Sequence, residues 1–425
     1  MCGFGKRLGL NLQGWQELNP PLYVANMITR IEAKNYRSFS YVAQDVKPFQ
    51  VLIGPNASGK STFLDIPVFI GDIVKNGVEK AYRKRSENFV DLTHNRAGGP
   101  IELAVEFELR IDIGSTFNLR YELKLVEVNN EVQIYGEFLK WNEDSRKEFY
   151  KVPGEVFFVS KSDIIRDIIS RVSSHASVFP NDDDVGKIFM VKLATHMSIL
   201  GLGVFDEKGF EIQKITKDFW NGDIYYIQLL IESLRKPSMP AQGNAFTSSG
   251  SNVPWLIERL QKENLALAKD WLAHIRTAFP DIKKINVKKI PDTNSRYVSI
   301  QYANGTSVPS WMVSDGTLFF IALTLIAYQI DSTGLYMIEE PENGLHPGLL
   351  ALLVQSLKSV YSGQVLITTH SPDFLDLVNK EDLILFHQGK NRSASTTSGA
   401  DNAYLKGADG RVSLATAFSS GMLTD

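Results

Sequence analysis

The sequence predicts an α/β fold with a mixed central sheet, an antiparallel β subdomain and a helical insertion. Two short apolar runs, residues 51–53 and 335–338, have the length and composition of buried strands in a parallel sheet, and each leads into a polar segment. Residues 101–110 and 119–128 alternate apolar and polar side chains, which is typical of antiparallel strands. The chain has 425 residues, 44% of them hydrophobic, which is enough for two or three domains.

Composition narrows the class of protein. The net charge is −3, so any contact with nucleic acid has to come from local basic patches rather than from the whole surface. The single cysteine, Cys2, excludes an internal disulfide framework and predicts a reducing, cytoplasmic location. The longest apolar stretch, near residues 318–327, is too short to span a bilayer, and residues 1–16 do not resemble a secretion signal, so no membrane partner is expected.

The stretch VLIGPNASGKST matches the G-x-x-x-x-G-K-[ST] pattern of a phosphate-binding loop. Its glycines, Gly59 among them, let the backbone turn its N–H groups toward one anion, and the helix that follows adds the positive end of its dipole. Lys60 is placed to reach the β- and γ-phosphates, and the Ser61 hydroxyl can bind Mg²⁺. Asn56 and Thr62, in the same stretch, complete the predicted nucleotide site. The strand before the loop and the helix after it argue against a chance match.

Two later strands end in ionisable side chains. The segment LYMIEE reads as a buried strand ending in Glu339 and Glu340, and adjacent strand residues point to opposite sides. We therefore expect Glu339 to face Mg²⁺ and Glu340 to polarise the water that attacks the γ-phosphate. The segment VLITTH ends in His370, at the end of a strand where ligands collect in open α/β sheets, and we interpret it as a sensor of the γ-phosphate. The alternatives are an ordinary charged strand end and a structural histidine.

A second anion site is predicted where the segment VSDGT opens an apolar helix. The Ser314 hydroxyl and the bare N–H groups beside Gly316 are suited to a phosphate. One nucleotide does not need two such sites, but a dimer does if each subunit offers its helix start to the nucleotide of the other. Nearer the N-terminus, Arg37 in the segment NYRSF is either a solvated turn charge or a nucleotide contact.

Three charged runs each allow two interpretations. The run at residues 80–85 has four cations and the run at residues 283–289 has four lysines, and both are either solvated surfaces or nucleic-acid contacts. The three aspartates at residues 182–184 form either a metal site or, as we expect, a solvated loop. The segments 164–172, 185–199 and 220–235 are predicted to be helices of the insertion.

Four motifs occur in the order GPNASGKS, VSDGT, LYMIEE with PENGLHP, and TTHSP. In this order they resemble the RecF/SMC branch of ABC-type ATPases, in the group with AAA-21-like domains. They also resemble the ATPase subunits of bacterial anti-phage systems such as Septu, PARIS and the overcoming-lysogenization-defect proteins. The resemblance covers about 27–130 and 250–390. It implies an ABC-type P-loop ATPase head that binds and hydrolyses ATP with Mg²⁺ and closes as a homodimer or higher homo-oligomer around two ATPs. It also implies a separately encoded effector, a TOPRIM-like or HNH-like nuclease.

The resemblance assigns roles by motif position. Lys60 and Ser61 correspond to the residues that hold phosphate and Mg²⁺, Glu339 to the Walker B carboxylate, Glu340 to the general base and His370 to the γ-phosphate sensor. In the same way, Arg37 would lie near the nucleotide, and Ser314 and Gly316 would reach the ATP of a partner subunit. Two departures stand out: Walker B ends in Glu-Glu rather than Asp-Glu, and no glutamine lies between Lys60 and Gln133. The role of the family's Q-loop is therefore absent or served by His94 or Asn95.

These observations predict five segments and leave three functions open. The segments are a 1–26 extension, a 27–150 N-terminal lobe of the ATPase head, a 151–250 helical insertion, a 251–390 C-terminal lobe and a 391–425 tail. The leading function is an ATPase that regulates an effector in anti-phage defence. The alternatives are a RecF-like ATP-dependent clamp, for which DNA would be the partner, and an ATP-locked scaffold with little turnover. We expect no nuclease activity from this chain alone.

Overall fold

The computed structural model describes residues 26–110, 116–142, 165–172, 175–178, 189–192, 194–202, 211–240, 243, 245–330, 333–389, 393–407 and 413–423. The chain divides into two compact units. The first comprises Met1–Lys47, Pro55–Ile224 and Phe386–Thr396, and the second Pro48–Gly54, Tyr225–Leu385 and Thr397–Asp425. The predicted N-terminal extension, apart from Asn26, and the three aspartates at 182–184 lie outside the described residues.

The strands, numbered in chain order, are β1 (Asn26–Tyr36), β2 (Phe39–Asp45), β3 (Phe49–Ile53), β4 (Ile101–Arg110), β5 (Thr116–Val128), β6 (Glu131–Asn142), β7 (Ile165–Val172), β8 (His175–Val178), β9 (Phe189–Lys192), β10 (Ile224–Ile227), β11 (Ile282–Lys289), β12 (Arg296–Tyr302), β13 (Ser307–Pro309), β14 (Leu335–Glu339), β15 (Gln364–Thr368), β16 (Leu383–Gln388) and β17 (Ala394–Ser398).

The helices are α1 (Lys60–Asn76), α2 (Val78–Arg83), α3 (Glu211–Gly222), α4 (Ile231–Arg235), α5 (Val253–Glu263), α6 (Leu265–Ala278), α7 (Asp315–Thr324), α8 (Pro347–Lys358), α9 (Pro372–Leu375), α10 (Ala403–Gly407) and α11 (Leu414–Ser419). Within the described residues, none of them is long and apolar enough to cross a bilayer.

The first unit is built on an eight-stranded sheet with the order β2-β1-β4-β5-β6-β7-β8-β9. Neighbouring strands pair antiparallel throughout. The β5–β6 turn contains Asn129 and Asn130, with φ of 53° and 63°. Two consecutive positive φ values are what a two-residue hairpin of type I′ requires, and asparagine tolerates them. The antiparallel strands predicted at residues 101–110 and 119–128 are confirmed, and this turn joins β5 to β6 as a hairpin.

One face of this sheet packs on the helices of the first unit. Phe107 of β4 lies against Phe219 and Trp220 of α3, with ring centroids 6.0 Å and 6.5 Å away. Tyr36 of β1 stacks on Phe69 of α1 at 5.6 Å. These aromatic contacts form the apolar core that the alternating pattern predicts for one side of the strands.

The other face carries a buried ionic network rather than solvated charges. The Arg120 guanidinium donates to Glu32 at 3.0 Å and to Glu106 and Glu122 at 2.6 Å each. Lys140 donates to Glu122 at 2.7 Å. The Arg120 side chain is only 2% exposed and that of Glu122 is fully buried. Because opposite charges lie across neighbouring strands, each buried charge has a partner, as burial requires.

The second unit contains a six-stranded sheet with the order β10-β14-β15-β3-β16-β17. The four strands from β14 to β16 run parallel. A connection of five residues joins β16 to its neighbour β17, which is too short for a parallel crossover, so this pair is antiparallel and the sheet is mixed. The predicted α/β fold with a mixed sheet and an antiparallel subdomain is confirmed.

Helices α5 to α8 bury their apolar sides in the core of the second unit. That core joins residues of the sheet and of the helices, among them Val51, Ile338, Ile367, Leu256, Trp271, Ile321 and Leu353. A smaller antiparallel sheet, β11-β12-β13, contributes Ile285 and Ile300 to the same core. Helices α5 and α6 follow each other closely and are separated only at Asn264.

Three predicted helices are wrong. In the segment 164–172 the described residues form β7 (Ile165–Val172), which pairs with β6 and β8, and the segment 185–199 contains β9 and no α-helix in its described part. The segment 220–235 divides into the end of α3, the strand β10 and the short helix α4. Isoleucines at helical spacing suggested a helix at 164–172, but β-branched side chains also suit strands, and the neighbouring strands decide the conformation.

Candidate functional site

The phosphate-binding loop follows the buried strand β3, and α1 begins at its end, as predicted. Gly59 has φ of 100°, and a Cβ there would lie 3.0 Å from both the Phe39 ring and the Ala394 Cβ. The position therefore requires glycine for its conformation and for the space around it. No side chain caps the start of α1. Its first N–H groups are consequently available to an anion, with the helix dipole adding positive potential.

Inside this loop, Lys60 is 7% exposed, and its ammonium group donates to the Pro55 carbonyl at 2.9 Å. Ser61 and Asn56 are exposed. The Thr62 hydroxyl lies 3.3 Å from that of Ser38. The Lys60 ammonium group thus lies inside the loop, whereas Ser61 is exposed. This arrangement suits a phosphate with an attached metal ion.

Arg37, the predicted nucleotide contact of the first unit, is ion-paired. Its guanidinium lies 3.2 Å from the Asp65 carboxylate, which also accepts from the Tyr36 hydroxyl at 2.5 Å and from Arg85. Burial raises the pKa of Tyr36 well above its usual value, and the charge of Asp65 adds to the shift, so the phenol stays protonated and donates. A nucleotide contact by Arg37 remains a prediction, and it requires that a phosphate replace Asp65 as its partner.

The two carboxylates after the apolar part of β14 differ in environment. Glu339 has a carboxylate oxygen, Oε1, that is buried without a hydrogen-bond partner. Glu340 has φ of 44°, in the left-handed region, and its side chain is 42% exposed. The amide of Asn343 donates to Glu340 Oε2 at 2.7 Å. The two carboxylates thus differ in burial and in backbone conformation, and their division into a metal ligand and a general base stays a prediction.

His370 lies just beyond β15, and its ring Nε2 is 3.8 Å from Glu340 Oε1. Its backbone N–H donates to Glu342 Oε1 at 3.1 Å, and the hydroxyl of Thr369 donates to the same oxygen at 2.6 Å. The second oxygen of Glu342 is buried without a hydrogen-bond partner. The structure therefore brings Glu340 and His370 together, as expected from their strand ends. It adds Glu342 and Asn343, which the sequence analysis did not single out although both lie in PENGLHP.

A cavity of about 230 Å³ in the second unit opens beside these carboxylates. It is lined by Gln228, Leu229, Leu230, Phe319, Leu323, Ile338, Glu339, Glu340, Pro341 and Asn343. Gln228 directly follows β10, the neighbour of β14, and the sequence analysis missed it because this segment was interpreted as helix. His94 and Asn95, the suggested substitutes for a Q-loop glutamine, lie in the first unit and contact each other at 3.1 Å.

The helix start at Ser314 is already capped, unlike that of α1. The Ser314 hydroxyl accepts from the Thr317 N–H at 3.3 Å, so this N–H group is not bare as the sequence analysis expected. Asp315 pairs with Arg235, which neutralises its charge at the helix start. Gly316 lies against the loop after β14, where an added Cβ would be 3.0 Å from the Gly344 carbonyl oxygen. The N–H groups of Asp315 and Gly316 precede the first intrahelical bond and can still receive an anion.

In the second unit, the strand order of the six-stranded sheet shows where the residues after β14, β15 and β3 lie relative to one another. β14, β15 and β3 are consecutive and parallel, so the carboxylates after β14, His370 after β15 and Gly54 after β3 lie at one edge of the sheet. No group of three acidic, histidine or cysteine side chains suited to a metal is found in the described residues. Mg²⁺ bound to a nucleotide needs only one or two protein ligands, and the unpartnered oxygen of Glu339 fits that need.

The phosphate loop after a central parallel strand, the acidic end of β14 and the histidine after β15 define an ABC-type ATPase fold similar to SMC heads. The chain belongs to the family described as "AAA domain, putative AbiEii toxin, Type IV TA system" (AAA_21), which matches residues 49–376.

The chain is similar to known SMC proteins. A chromosome partition protein Smc of Methanocaldococcus jannaschii is 24% identical over 190 residues, which is 43% of this chain and 15% of that protein. A solved Smc head bound to the C-terminal winged-helix domain of ScpA superposes with a TM-score of 0.50 at 13% identity, covering 87% of this chain and 97% of the other. An SMC head domain from Thermotoga maritima reaches 0.43 at 14% identity, covering 87% and 98%.

Proposed function

We propose that this chain is a Mg²⁺-dependent ATPase whose phosphate loop and β14 carboxylates serve one nucleotide. The observation that carries the proposal is the shared sheet edge: β3 leads into the loop at the same edge where Glu340 follows β14 and His370 follows β15. Membership in an AAA-domain family supports nucleotide binding. ATP is the expected nucleotide, because the motifs resemble those of ABC-type ATPases.

Each residue has a distinct role in this proposal. Lys60 and the first N–H groups of α1 hold the β- and γ-phosphates, and Asn56, Gly59 and Thr62 shape the loop around them. Ser61 and Glu339 hold the metal ion. When bound, Mg²⁺ supplies positive charge that offsets the negative charge of the phosphates.

Glu340 acts as the general base in the proposed reaction. Its exposed carboxylate can accept a proton from water, and Asn343 fixes the direction of that carboxylate through one short hydrogen bond. His370, whose Nε2 lies 3.8 Å from Glu340 Oε1, would donate a hydrogen bond to an oxygen of the γ-phosphate while the water attacks the γ-phosphorus. Gln228 lines the adjoining cavity and is the glutamine that we assign to the Q-loop role.

The assembly and the biological role belong to the same proposal. Ser314 and Gly316 would reach the ATP of a second subunit, so that the protein closes as a dimer around two nucleotides. The similar Smc head is bound to a domain of ScpA, which supports a protein partner for this chain as well. From the resemblance to anti-phage ATPases, the partner is a separately encoded nuclease that the cytoplasmic ATPase regulates.

Two substitutions test the nucleotide chemistry. Glu340→Gln should bind ATP as the parent does and lose about 10²-fold or more in hydrolysis, because the water loses its proton acceptor. Lys60→Ala should lose binding of ATP itself. Calorimetric titration with a non-hydrolysable ATP analogue and a phosphate-release assay measure the two quantities.

Glu263→Gln is the matched control, because this glutamate is 52% exposed and pairs only across one helical turn of α5. It should leave both quantities unchanged. Hydrolysis at the parental rate by Glu340→Gln would exclude it as the base, and undiminished binding by Lys60→Ala would exclude the loop as the phosphate site. A parent that binds ATP in a stable oligomer with no turnover would favour the scaffold function instead.

A further inference from the structure

The two basic runs of the sequence differ in how far the structure neutralises them. In the first run, at residues 80–85, three of the four cations are ion-paired. The pairs are Arg83 with Glu79, Lys84 with Asp72, and Arg85 with both Asp65 and Asp72. This run therefore offers little free positive charge to a polyanion, although Lys80, Arg83 and Lys84 are exposed.

The positive charge of the second run, at residues 283–289, is not neutralised by ion pairs among the described residues. Lys283, Lys284, Lys288 and Lys289 lie on β11 and all four are exposed. Among the described residues, their ammonium groups have no ion-pair or hydrogen-bond partner. Across residues 281–311 the only carboxylates are two aspartates, and the one arginine, Arg296, is neutralised by Glu258 at 3.2 Å. The segment thus carries a net positive charge.

The register of the small sheet decides which side these lysines occupy. Lys284 lies opposite Gln301 and Lys288 lies opposite Tyr297 on β12. Ile285 between them is buried in the core of the second unit. Since side chains alternate along a strand, Lys284 and Lys288 point to the outer side of the sheet, about 13 Å apart along it.

Two aromatic rings lie beside these lysines. The Tyr297 ring contacts that of Trp311, with centroids 4.9 Å apart and planes inclined by 47°. The Trp311 side chain follows β13, and the residue is 45% exposed. The outer side of the sheet formed by Lys284, Lys288, Tyr297 and Trp311 is called here the lysine–aromatic face.

We propose that the lysine–aromatic face binds single-stranded nucleic acid. The unpaired lysines supply positive charge that attracts phosphates, and the exposed Trp311 ring, with the half-buried Tyr297 ring beside it, supplies a platform on which unpaired bases stack. A duplex keeps its bases stacked within itself, so it would use only the lysines and gain nothing from the rings. The span of about 13 Å between the lysines suits a contact with a few nucleotides. The face consists of surface residues that take no part in the proposed ATP chemistry, so the two proposals stand or fall separately.

The test measures binding of a fluorescent 20-nucleotide oligo(dT) to the full chain by anisotropy, without ATP, over a series of salt concentrations. Affinity should fall linearly on logarithmic axes as salt rises. The double variant Lys284→Gln/Lys288→Gln should lose about tenfold or more in affinity, and its salt slope should decrease by about 1.4, since each phosphate contact with a single strand contributes about 0.7. Trp311→Ala should lose about fivefold or more and leave the slope unchanged, because stacking involves no counterion.

Two control variants match these changes in charge and in ring loss. Lys80→Gln/Lys84→Gln removes two cations from the first basic run, and Tyr361→Ala removes a ring that is 84% exposed elsewhere in the second unit. Both should bind oligo(dT) as the parent does. Thermal unfolding of every variant checks that the fold is intact. Four results would each overturn the proposal: no binding of oligo(dT) at low salt, an equal loss of affinity in the control variants, tighter binding of a duplex than of oligo(dT), or equally effective displacement of oligo(dT) by poly-glutamate.

Discussion

At the scale of single residues, Glu340 depends on an uncommon backbone conformation. A φ of 44° costs a residue with a Cβ about 1 kcal/mol or more. Two backbone bonds hold it, one from its own N–H to Thr368 at 2.9 Å and one from the Asn343 N–H to its carbonyl at 3.0 Å. The turn ends the regular strand at Glu339, so that the neighbouring carboxylates can have different surroundings although they are adjacent in sequence.

Asn343 is the residue whose removal tests this positioning. Asn343→Ala should lower kcat about tenfold and leave KM for ATP nearly unchanged, because the amide orients Glu340 and is not expected to hold phosphate. Steady-state kinetics of ATP hydrolysis at saturating Mg²⁺ separate the two parameters.

Asn304→Ala provides the control for Asn343. Asn304 also uses its side chain in a local turn, accepting from the Thr306 N–H at 3.0 Å, and it belongs to the β12–β13 connection. It should behave as the parent. A raised KM with unchanged kcat in Asn343→Ala would mean that this residue binds nucleotide and does not position the base.

At the scale of elements, the sequence was sufficient to predict the structure wherever a local pattern determines it. The phosphate loop has its own glycines and its own helix start, and the two asparagines after β5 select the hairpin turn. The proximity of Glu340 and His370 was also predictable, because carboxyl ends of parallel strands meet at one edge. Gln228, Glu342 and Asn343 were not predictable, since their roles depend on side-chain directions that no periodicity encodes.

Elements that depend on distant partners were predicted poorly. The sequence IIRDIISRV has apolar residues at helical spacing, yet residues 165–172 form β7 because β6 and β8 supply its backbone bonds. β10 is only four residues long, and its place beside β14 cannot be seen from local composition. The alternation of β4 and β5 correctly predicted strands, but it gave no sign that the polar face is buried around Arg120.

Arg120 offers a test of that buried face. Arg120→Ala should destabilise the first unit by about 3–5 kcal/mol, because three carboxylates would lose their shared cation and two of them, Glu32 and Glu122, are almost fully buried. Urea unfolding followed by tryptophan fluorescence measures the loss, since Trp220 is buried in the same unit.

Lys124→Ala is the matched control for this sheet. Lys124 also pairs across strands, with Glu102 at 2.9 Å, but its side chain is 30% exposed. Its removal should cost about 1 kcal/mol or less. Similar small losses for both variants would show that water reaches the Arg120 network in solution.

At the scale of the whole molecule, the two helix starts with a predicted phosphate role are not equivalent. The start of α1 has no side-chain cap, whereas that of α7 is capped by Ser314 and carries the Arg235–Asp315 pair. An uncapped start suits the permanent phosphate site of one subunit. A capped start is stable without an anion, which suits a surface that meets the nucleotide of a second subunit only after closure.

The composite site of a closed dimer can be tested by mixing variants. Ser314→Arg should by its bulk keep its own helix start from meeting the nucleotide of the partner subunit, and Lys60→Ala should empty the phosphate loop, so each variant alone should hydrolyse almost no ATP. A mixed dimer has one site with both defects and one with neither, because each site takes Lys60 from one subunit and Ser314 from the other. After subunit exchange in an equal mixture, about a quarter of the parental ATPase activity should return. Ser413→Arg is the matched control, because Ser413 caps α11 as Ser314 caps α7 and has no proposed contact with nucleotide, and it should retain most of the activity. If Ser314→Arg alone hydrolyses ATP normally, or if mixing restores nothing although exchange is demonstrated by labelled subunits, the shared site is wrong.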